Sequence, residues 1–255
     1  MPLNDSLSRR RLLGLAAGTA ALAACSAPPP SSVESPVPLP ATPSPTTPAT
    51  TTTTAAGPAA EFARSGSGRA QVALTFHGAG DPVITRRVLD VVRQHGAQVT
   101  VLAVGTWLAE HPDAVRMVRD GGHELGNHTW SHPALSGYAP EPMYAEIQRC
   151  RDKLVELTGS PGAFFRQSQG QRATHEELVE AGRAGYRRVL SYDIDSLDWK
   201  DPGPAAIRAA VAKASAGSVV SMHLGHPGTV AALPGILTDL AGRGLSAVTA
   251  SELLA

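Results

Sequence analysis

Short apolar runs alternate with longer amphipathic stretches from Arg69 to the C-terminus of this 255-residue chain. Apolar runs rich in β-branched residues predict buried strands, and apolar positions that recur every three or four residues predict helices. Strands that alternate with helices in this way predict a parallel sheet or barrel of the α/β class. The predicted strands are Gln71–Phe76, Gln98–Val104, Ala163–Phe165, Arg188–Tyr192, Ser218–Met222 and Leu245–Thr249. The predicted helices cover residues 83–95, 107–119, 141–158, 173–184, 204–214 and 229–241.

The N-terminus has a different pattern, in which a basic stretch, Ser8–Arg11, precedes an apolar stretch of small and aliphatic residues. This order is typical of a signal peptide, and the apolar stretch is too short to span a bilayer as a mature helix. Ser-Arg-Arg-Arg-Leu-Leu resembles a twin-arginine export signal, and the Leu-Ala-Ala-Cys that ends at Cys25 resembles a bacterial lipobox. We therefore expect residues 1–25 to be a lipoprotein signal peptide, with Cys25 as the lipidation site. The mature protein would be anchored to the outer face of the cell membrane, in the cell envelope.

Residues 26–66 are dominated by Pro, Ser, Thr and Ala. Such a segment buries too little apolar surface to offset the entropy lost on ordering. We expect a disordered, semi-extended tether that precedes a single folded domain, residues 67–255.

The composition argues against nucleic acid as a partner. The chain has 22 basic and 22 acidic residues, a formal net charge of zero, and no basic stripe. It therefore lacks the electrostatic footprint of a nucleic-acid-binding protein.

The two cysteines, Cys25 and Cys150, lie too far apart in sequence to form a disulfide framework. We expect a monomer.

Polar side chains follow several of the predicted strands. His77 follows the first strand, Arg166 the third, Asp193 and Asp195 the fourth, and His223 the fifth. The carboxyl ends of parallel strands gather at one end of a barrel or sheet, where active sites form. These residues are therefore candidates for one site.

The segment His128-Thr-Trp-Ser-His132 places two imidazoles four residues apart. On a helical turn this spacing brings both rings to one side, where they can share a cation. The spacing alone is a weak signal. Within the longer segment Gly122-His-Glu-Leu-Gly-Asn-His-Thr-Trp-Ser-His132 it becomes specific.

That segment resembles the second motif of the NodB-type polysaccharide deacetylases, carbohydrate esterase family 4. The resemblance runs from about Ala70 to the C-terminus and includes Asp195-Ser-Leu-Asp-Trp199, His223 after a strand, and the ending from Thr229 to Leu254. It implies a distorted, incomplete (β/α) barrel. It also implies a divalent metal, most often zinc with cobalt or nickel as alternatives, and removal of acetyl groups from an N-acetylated polysaccharide.

The resemblance also assigns roles by position. His128 and His132 are implied as metal ligands, His223 as the general acid that protonates the leaving amine, and Asp195 as its partner. A metal suits this chemistry because it lowers the pKa of its bound water and polarises the amide carbonyl.

Three further positions are implied in the substrate cleft. Arg166 would orient the catalytic base, and Trp199 would line the pocket. Gln169 stands where the family has a Tyr whose backbone N–H helps to bind the oxyanion, because the family's Arg-Pro-Pro-Tyr-Gly reads Arg166-Gln-Ser-Gln-Gly170 here. A backbone donor at this position survives the exchange.

The first motif departs from the family's Thr-Phe-Asp-Asp-Gly, because the chain reads Thr-Phe-His77-Gly78-Ala-Gly-Asp81. The base and the third metal ligand are therefore both replaced. Either His77 completes a three-histidine metal site, or His77 is a neutral base and Asp81 supplies the missing carboxylate. We favour His77 as a metal-side and catalytic residue.

Three functions are compatible with these motifs. The first is a metal-dependent hydrolase of amide-linked acetyl groups with a rebuilt site. The second is a glycan-binding protein without catalytic activity, and the third is an esterase for O-acetyl groups. The envelope location makes peptidoglycan or a related glycan the first candidate substrate.

Overall fold

The computed structural model describes residues 57–255. The predicted signal peptide, Cys25 and most of the predicted tether lie outside the described residues. Within this described part of the chain, no helix is long and apolar enough to cross a membrane.

Strands and helices alternate along residues 57–255. The strands are β1 (Ala60–Phe62), β2 (Gln71–Gly78), β3 (Thr100–Ala103), β4 (Glu124–Asn127), β5 (Arg188–Leu190), β6 (Ile194–Asp195), β7 (Val219–His223) and β8 (Ser246–Val248). The helices are α1 (Pro82–Gln94), α2 (Gly105–Glu110), α3 (Pro112–Asp120), α4 (Pro140–Thr158), α5 (His175–Arg183), α6 (Pro204–Val211), α7 (Pro227–Gly242) and α8 (Ala250–Leu253). Short 3-10 turns cover Leu135–Gly137 and Asp198–Lys200.

The named strands pair in parallel around β2, which contacts β3, β7 and β8. β4 extends the sheet beyond β3, and β6 extends it beyond β7. β1 and β5 form a separate parallel pair. Phe165 bridges to Asn127 at the end of β4 and to Val189 in β5, and so connects the two sheets. The predicted fold class, an incomplete (β/α) barrel of parallel strands, is confirmed.

β2 is covered on both faces, which explains its continuous apolar run. Val72, Leu74 and Phe76 are fully buried in one core cluster, and Ala73 on the other face is fully buried in a second. Parallel strands packed by helices on both sides require such runs rather than an apolar and polar alternation. The central strand is therefore held rigidly up to its carboxyl end.

The predicted boundary between tether and domain is wrong. Ala60–Phe62 forms β1, parallel to β5, so ordered structure begins before residue 67. The Glu61 carboxylate accepts hydrogen bonds from the Ser191 hydroxyl at 2.6 Å and from the Ala173 N–H at 2.9 Å. A three-residue strand carries too little periodicity to be recognised in sequence.

Other elements also differ between the prediction and the structure. β4 was not predicted, because its Glu, Gly and Asn residues disfavour strands; it forms through tertiary pairing, chiefly with β3. The predicted strand Ala163–Phe165 is reduced to the isolated bridges at Phe165. The predicted helix 107–119 is divided by Pro112, which begins α3.

We predict that Glu61→Ala destabilises the domain by about 1–3 kcal/mol, because it leaves the Ser191 hydroxyl and the Ala173 N–H without their acceptor. The free energy of unfolding from urea denaturation measures the effect. Glu110→Ala, at the exposed end of α2, is the matched control and should change stability by less than about 0.5 kcal/mol. Equal effects of the two substitutions would contradict a structural role for β1.

Candidate metal centre

Three histidines converge at the carboxyl ends of the central strands. His77 lies in β2, His128 directly follows β4, and His132 lies in the next loop. One ring nitrogen from each histidine lies within 4.8 Å of those of the other two. The ring centroids of His77 and His128 are 4.1 Å apart, and those of His128 and His132 are 4.8 Å apart. This cluster, called the histidine centre below, has the donor set of a metal site.

The segment that carries His128 and His132 is a tight loop, so the expected helical turn is wrong. Thr129 and His132 both have left-handed backbone conformations, with φ of 66° and 59°. A β-branched residue rarely adopts this conformation. The Asn127 side chain accepts a hydrogen bond from the Thr129 N–H at 2.9 Å, and the Thr129 hydroxyl accepts one from the His132 N–H at 3.2 Å. These bonds fold the loop so that both rings face inward.

A second clamp on this loop comes from Glu146 in α4. Its Oε2 accepts hydrogen bonds from the N–H groups of Trp130 and Ser131, at 3.0 and 2.8 Å. Its Oε1 accepts a third from the Ser131 hydroxyl at 2.9 Å. One carboxylate thus binds the backbone between His128 and His132. The sequence motifs gave no indication of this residue.

The buried rings of His128 and His77 each have a ring nitrogen that is free to bind a metal. Nδ1 of His128 lies 3.0 Å from the Arg166 carbonyl oxygen; because a carbonyl only accepts, Nδ1 donates and Nε2 carries the lone pair. Nε2 of His128 and Nε2 of His77 are both buried without a hydrogen-bond partner among residues 57–255. An unpaired buried polar atom costs about 1–3 kcal/mol, a cost that coordination to a divalent ion removes. Three imidazoles suit zinc, cobalt or nickel.

His223 joins the histidine centre from β7. It stands in register with His77 of β2, and its Nε2 lies 2.9 Å from Nδ1 of His77. On its other side, Nδ1 of His223 lies 2.7 Å from Oδ1 of Asp198. Oδ2 of Asp198 accepts hydrogen bonds from the His223 N–H at 2.8 Å and the Thr229 hydroxyl at 2.6 Å.

Asp198, rather than Asp195, is therefore the carboxylate partner of His223, and the expected pairing with Asp195 is wrong. Asp195 accepts a hydrogen bond from the Leu197 N–H at 2.9 Å and borders the cleft. Leu197 has a left-handed backbone, with φ of 58°, and starts the 3-10 turn that carries Asp198 inward. The two carboxylates are three residues apart, so the direction of this turn decides which of them reaches the histidine.

Two other acidic residues considered in the sequence lie outside the centre. Asp81 is the N-cap of α1, where its carboxylate accepts the Val83 N–H at 2.7 Å. Asp followed by Pro at the first helical position favours this cap. Asp193 accepts the Val219 N–H at 2.8 Å. The alternative in which Asp81 is the third metal ligand is wrong, because the cluster contains His77 instead.

The packing around Gly78 leaves no room for a larger side chain at this position of the first motif. A Cβ placed on Gly78 would lie 2.8 Å from Cγ1 of Val101 and 3.0 Å from Cα of Ala103 in β3. A carboxylate at this position would therefore clash with the neighbouring strand. Gly78 thus stands where the family has its second acidic residue, and β2 and β3 approach each other closely at this point.

Burial sets the electrostatics of the centre. It lowers the pKa of His77 and of His128 well below the ordinary value, and neighbouring histidines and Arg166 lower both further. Burial, followed by the charge of His223, also lowers the pKa of His132. The three rings are therefore neutral near pH 7, which is the state that binds metal.

Arg166 lies fully buried behind the centre. Its Nε donates to the Leu190 carbonyl at 2.5 Å, and burial lowers its pKa to about 9. Its guanidinium lies 5.4 Å from the Tyr192 ring. The expected base that Arg166 would orient has been replaced by His77, and within residues 57–255 Arg166 forms no ion pair.

A cleft of about 520 Å³ opens beside the centre. Trp199 lies on it with 49% of its surface exposed. Gln169 has a left-handed backbone, with φ of 58°, and its side-chain amide donates to the His132 carbonyl at 3.0 Å. Trp199 and Gln169 are thus at the cleft, as expected. The lining residues are His77, His132, Gln169, Gly170, Gln171, Tyr192, Asp195, Trp199, Ser221 and His223.

Fold and site together define a (β/α)-barrel protein with a histidine-rich, metal-type centre at the carboxyl ends of its strands. Residues 64–189 match the family described as polysaccharide deacetylase. The chain is 35% identical over 188 residues to a peptidoglycan-N-acetylglucosamine deacetylase of Bacillus cereus, which covers 72% of this chain and 87% of that protein. The chain therefore belongs to the polysaccharide deacetylase family, which includes hydrolases of amide bonds.

Solved structures of this family include active and inactive proteins. A peptidoglycan N-acetylglucosamine deacetylase superposes with a TM-score of 0.71 at 27% identity, over 76% of this chain and 92% of that one. A mutant with restored enzymatic activity, derived from a Bacillus anthracis pseudoenzyme of carbohydrate esterase family 4, gives 0.72 at 25% identity, over 77% and 71%. The fold is therefore compatible both with catalytic activity and with its loss.

We predict that His77→Ala sharply lowers the zinc bound per chain, because it removes one of the three imidazoles of the centre. Metal analysis after equilibrium dialysis measures the stoichiometry. His175→Ala removes an exposed histidine at the start of α5 and should leave it unchanged. Unchanged zinc in His77→Ala would exclude His77 as a ligand.

We predict that Glu146→Ala weakens zinc affinity about 10- to 100-fold, because it removes the acceptor of the three hydrogen bonds that hold the loop. Competition with a chromophoric chelator measures the dissociation constant. Glu156→Ala, on the exposed face of the same helix, is the control. An affinity equal to that of the control would show that the loop holds its shape without the clamp.

Proposed function

We propose that this chain is a metal-dependent hydrolase that removes acetyl groups from an N-acetylated cell-envelope polysaccharide, peptidoglycan or a related glycan. The observation that carries the proposal is the histidine centre, with two buried, unpartnered Nε2 atoms, beside a cleft of about 520 Å³. The similarity to the Bacillus cereus peptidoglycan deacetylase supports the choice of substrate.

His77, His128 and His132 would hold the metal. When bound, a divalent ion supplies an acidic water and a Lewis acid for the acetyl carbonyl. The three ligands are neutral imidazoles, so they do not reduce the charge of the ion as a carboxylate would. The His128 ring is already oriented for this role, because its Nδ1 donates to the Arg166 carbonyl at 3.0 Å.

The cleft supports the sugar side of the proposal. Trp199 exposes its indole beside the centre, where a sugar ring can pack on the aromatic face. Gln169 lies in the loop that faces the centre, and we expect its backbone N–H to bind the oxyanion. Asp195 and Tyr192 offer polar groups to sugar hydroxyls.

The position of His223 favours a second candidate, hydrolysis of O-acetyl esters. A general acid must present a proton on its Nε2 to the leaving group. In the structure that atom lies 2.9 Å from Nδ1 of His77, so donation to an amine requires this contact to open. Ester cleavage needs less protonation of its leaving group.

The absence of a carboxylate at the centre favours a third candidate, a glycan-binding protein without catalysis. Among residues 57–255, the cluster around His77 contains no Asp or Glu. Asp81 is engaged as a helix cap, and Gly78 has no room for a larger side chain. No carboxylate of the described residues is therefore available beside the three histidines to act as a catalytic base.

The location of the protein is also part of the proposal. Export through a twin-arginine-like signal, lipidation at Cys25 and a Pro-rich tether would place the cleft next to envelope glycans, with the protein acting as a monomer. This part rests on the sequence pattern of the first 56 residues alone.

We predict acetate release from an acetylated glycan in the presence of zinc, cobalt or nickel. Release should fall by about 100-fold or more on chelation or in His128→Ala, which removes a ligand, and stay unchanged in His175→Ala. An acetate assay on matched N-acetylated and O-acetylated glycans measures the rates and separates the first two candidates. Glycan binding without release, under every metal, would support the third.

A further inference from the structure

We propose that His223 acts in this chain as a positioning residue for the metal ligand His77, with Asp198 fixing both rings. The inference rests on the metal centre of the proposed function and adds a role for His223 that the family resemblance does not give. Asp198, His223 and His77 would form one chain of hydrogen bonds that ends at the free Nε2 of His77.

The contacts along this chain are direct. Oδ1 of Asp198 lies 2.7 Å from Nδ1 of His223, and Nε2 of His223 lies 2.9 Å from Nδ1 of His77. The parallel register of β2 and β7 sets His77 opposite His223. Asp198 is fully buried and is itself held by the His223 N–H and the Thr229 hydroxyl. The chain therefore begins at a fixed carboxylate.

These contacts allow one arrangement of protons when the rings are neutral and Asp198 is ionised. A carboxylate only accepts, so Nδ1 of His223 carries the proton and Nε2 of His223 must accept. The donor to that atom is Nδ1 of His77, which leaves the lone pair on Nε2 of His77. That atom is buried and has no other partner among the described residues. Asp198 thus sets which nitrogen of His77 faces the metal.

His128 is held in the same tautomer by another partner, the Arg166 carbonyl. Metal-bound histidines commonly donate their second N–H to a carboxylate or carbonyl, which fixes the ring and its tautomer. At Nδ1 of His77 the neighbour is Nε2 of His223 rather than a carbonyl, and His223 serves as the acceptor. An aspartate at position 77 would have no N–H to donate, so the exchange to histidine creates this link.

The first test is the zinc affinity of His223 variants, measured by chelator competition. His223→Ala removes the acceptor and should weaken zinc binding about 10- to 100-fold. His223→Gln places an amide oxygen near the former Nε2 and should restore most of the affinity. His226→Ala, in the loop between β7 and α7 and bonded to the exposed Asp201 at 2.9 Å, should match the parent. If His223→Ala binds zinc as tightly as the parent, the proposal is wrong.

The second test needs no metal or substrate. Nitrogen-15 NMR of the imidazoles in the metal-free protein should show His77 protonated at Nδ1, and this preference should be lost in His223→Ala. Protonation of His77 at Nε2 would overturn the proposal. Because this readout is independent of catalysis, a protein that releases no acetate can still show the hydrogen-bond chain. Conversely, an active enzyme with unaltered zinc affinity in His223→Ala would keep the proposed function and exclude the positioning role.

Discussion

The parallel register between β2 and β7 is the constraint on which the site depends. It sets His77 directly opposite His223, at the end of a strand that is paired along both edges and buried on both faces. Side chains opposite each other on neighbouring strands lie within contact distance, so their rings meet without any loop having to order. The other two histidines of the centre, His128 and His132, are brought to this fixed edge.

The loop that carries His128 and His132 of the histidine centre has a strained backbone. Thr129 and His132 adopt left-handed conformations, which cost about 1–3 kcal/mol each for non-glycine residues. Hydrogen bonds that the N–H groups of the loop donate to the Asn127 and Glu146 side chains offset this strain. Strain held in this way at one short loop is typical of a functional site, because a relaxed loop would not point both rings at one position.

Much of this arrangement could be predicted from sequence because parallel strands impose it. Apolar runs identified the central strands, and the polar residues after them, His77 and His223, lie together. The predictions that were wrong concern features that depend on tertiary contacts. β1, for example, is a strand only because it pairs with β5. The direction of the turn after Leu197 selects Asp198 over Asp195. Spacing alone does not encode a left-handed turn at a non-glycine residue.

The exchange at position 77 changes the charge of the whole centre. The family's first motif places two carboxylates here, and this chain has a neutral histidine and a glycine. Arg166 is thereby left buried without an ion pair in the described part of the chain, and burial lowers its pKa to about 9. Carbonyl oxygens of Leu190 and Ser191 and the Tyr192 ring solvate it instead. A centre of neutral imidazoles beside a buried cation favours anionic species near the metal. Water activation would thus depend more on the charge of the ion and less on a protein base than in a site with two carboxylates.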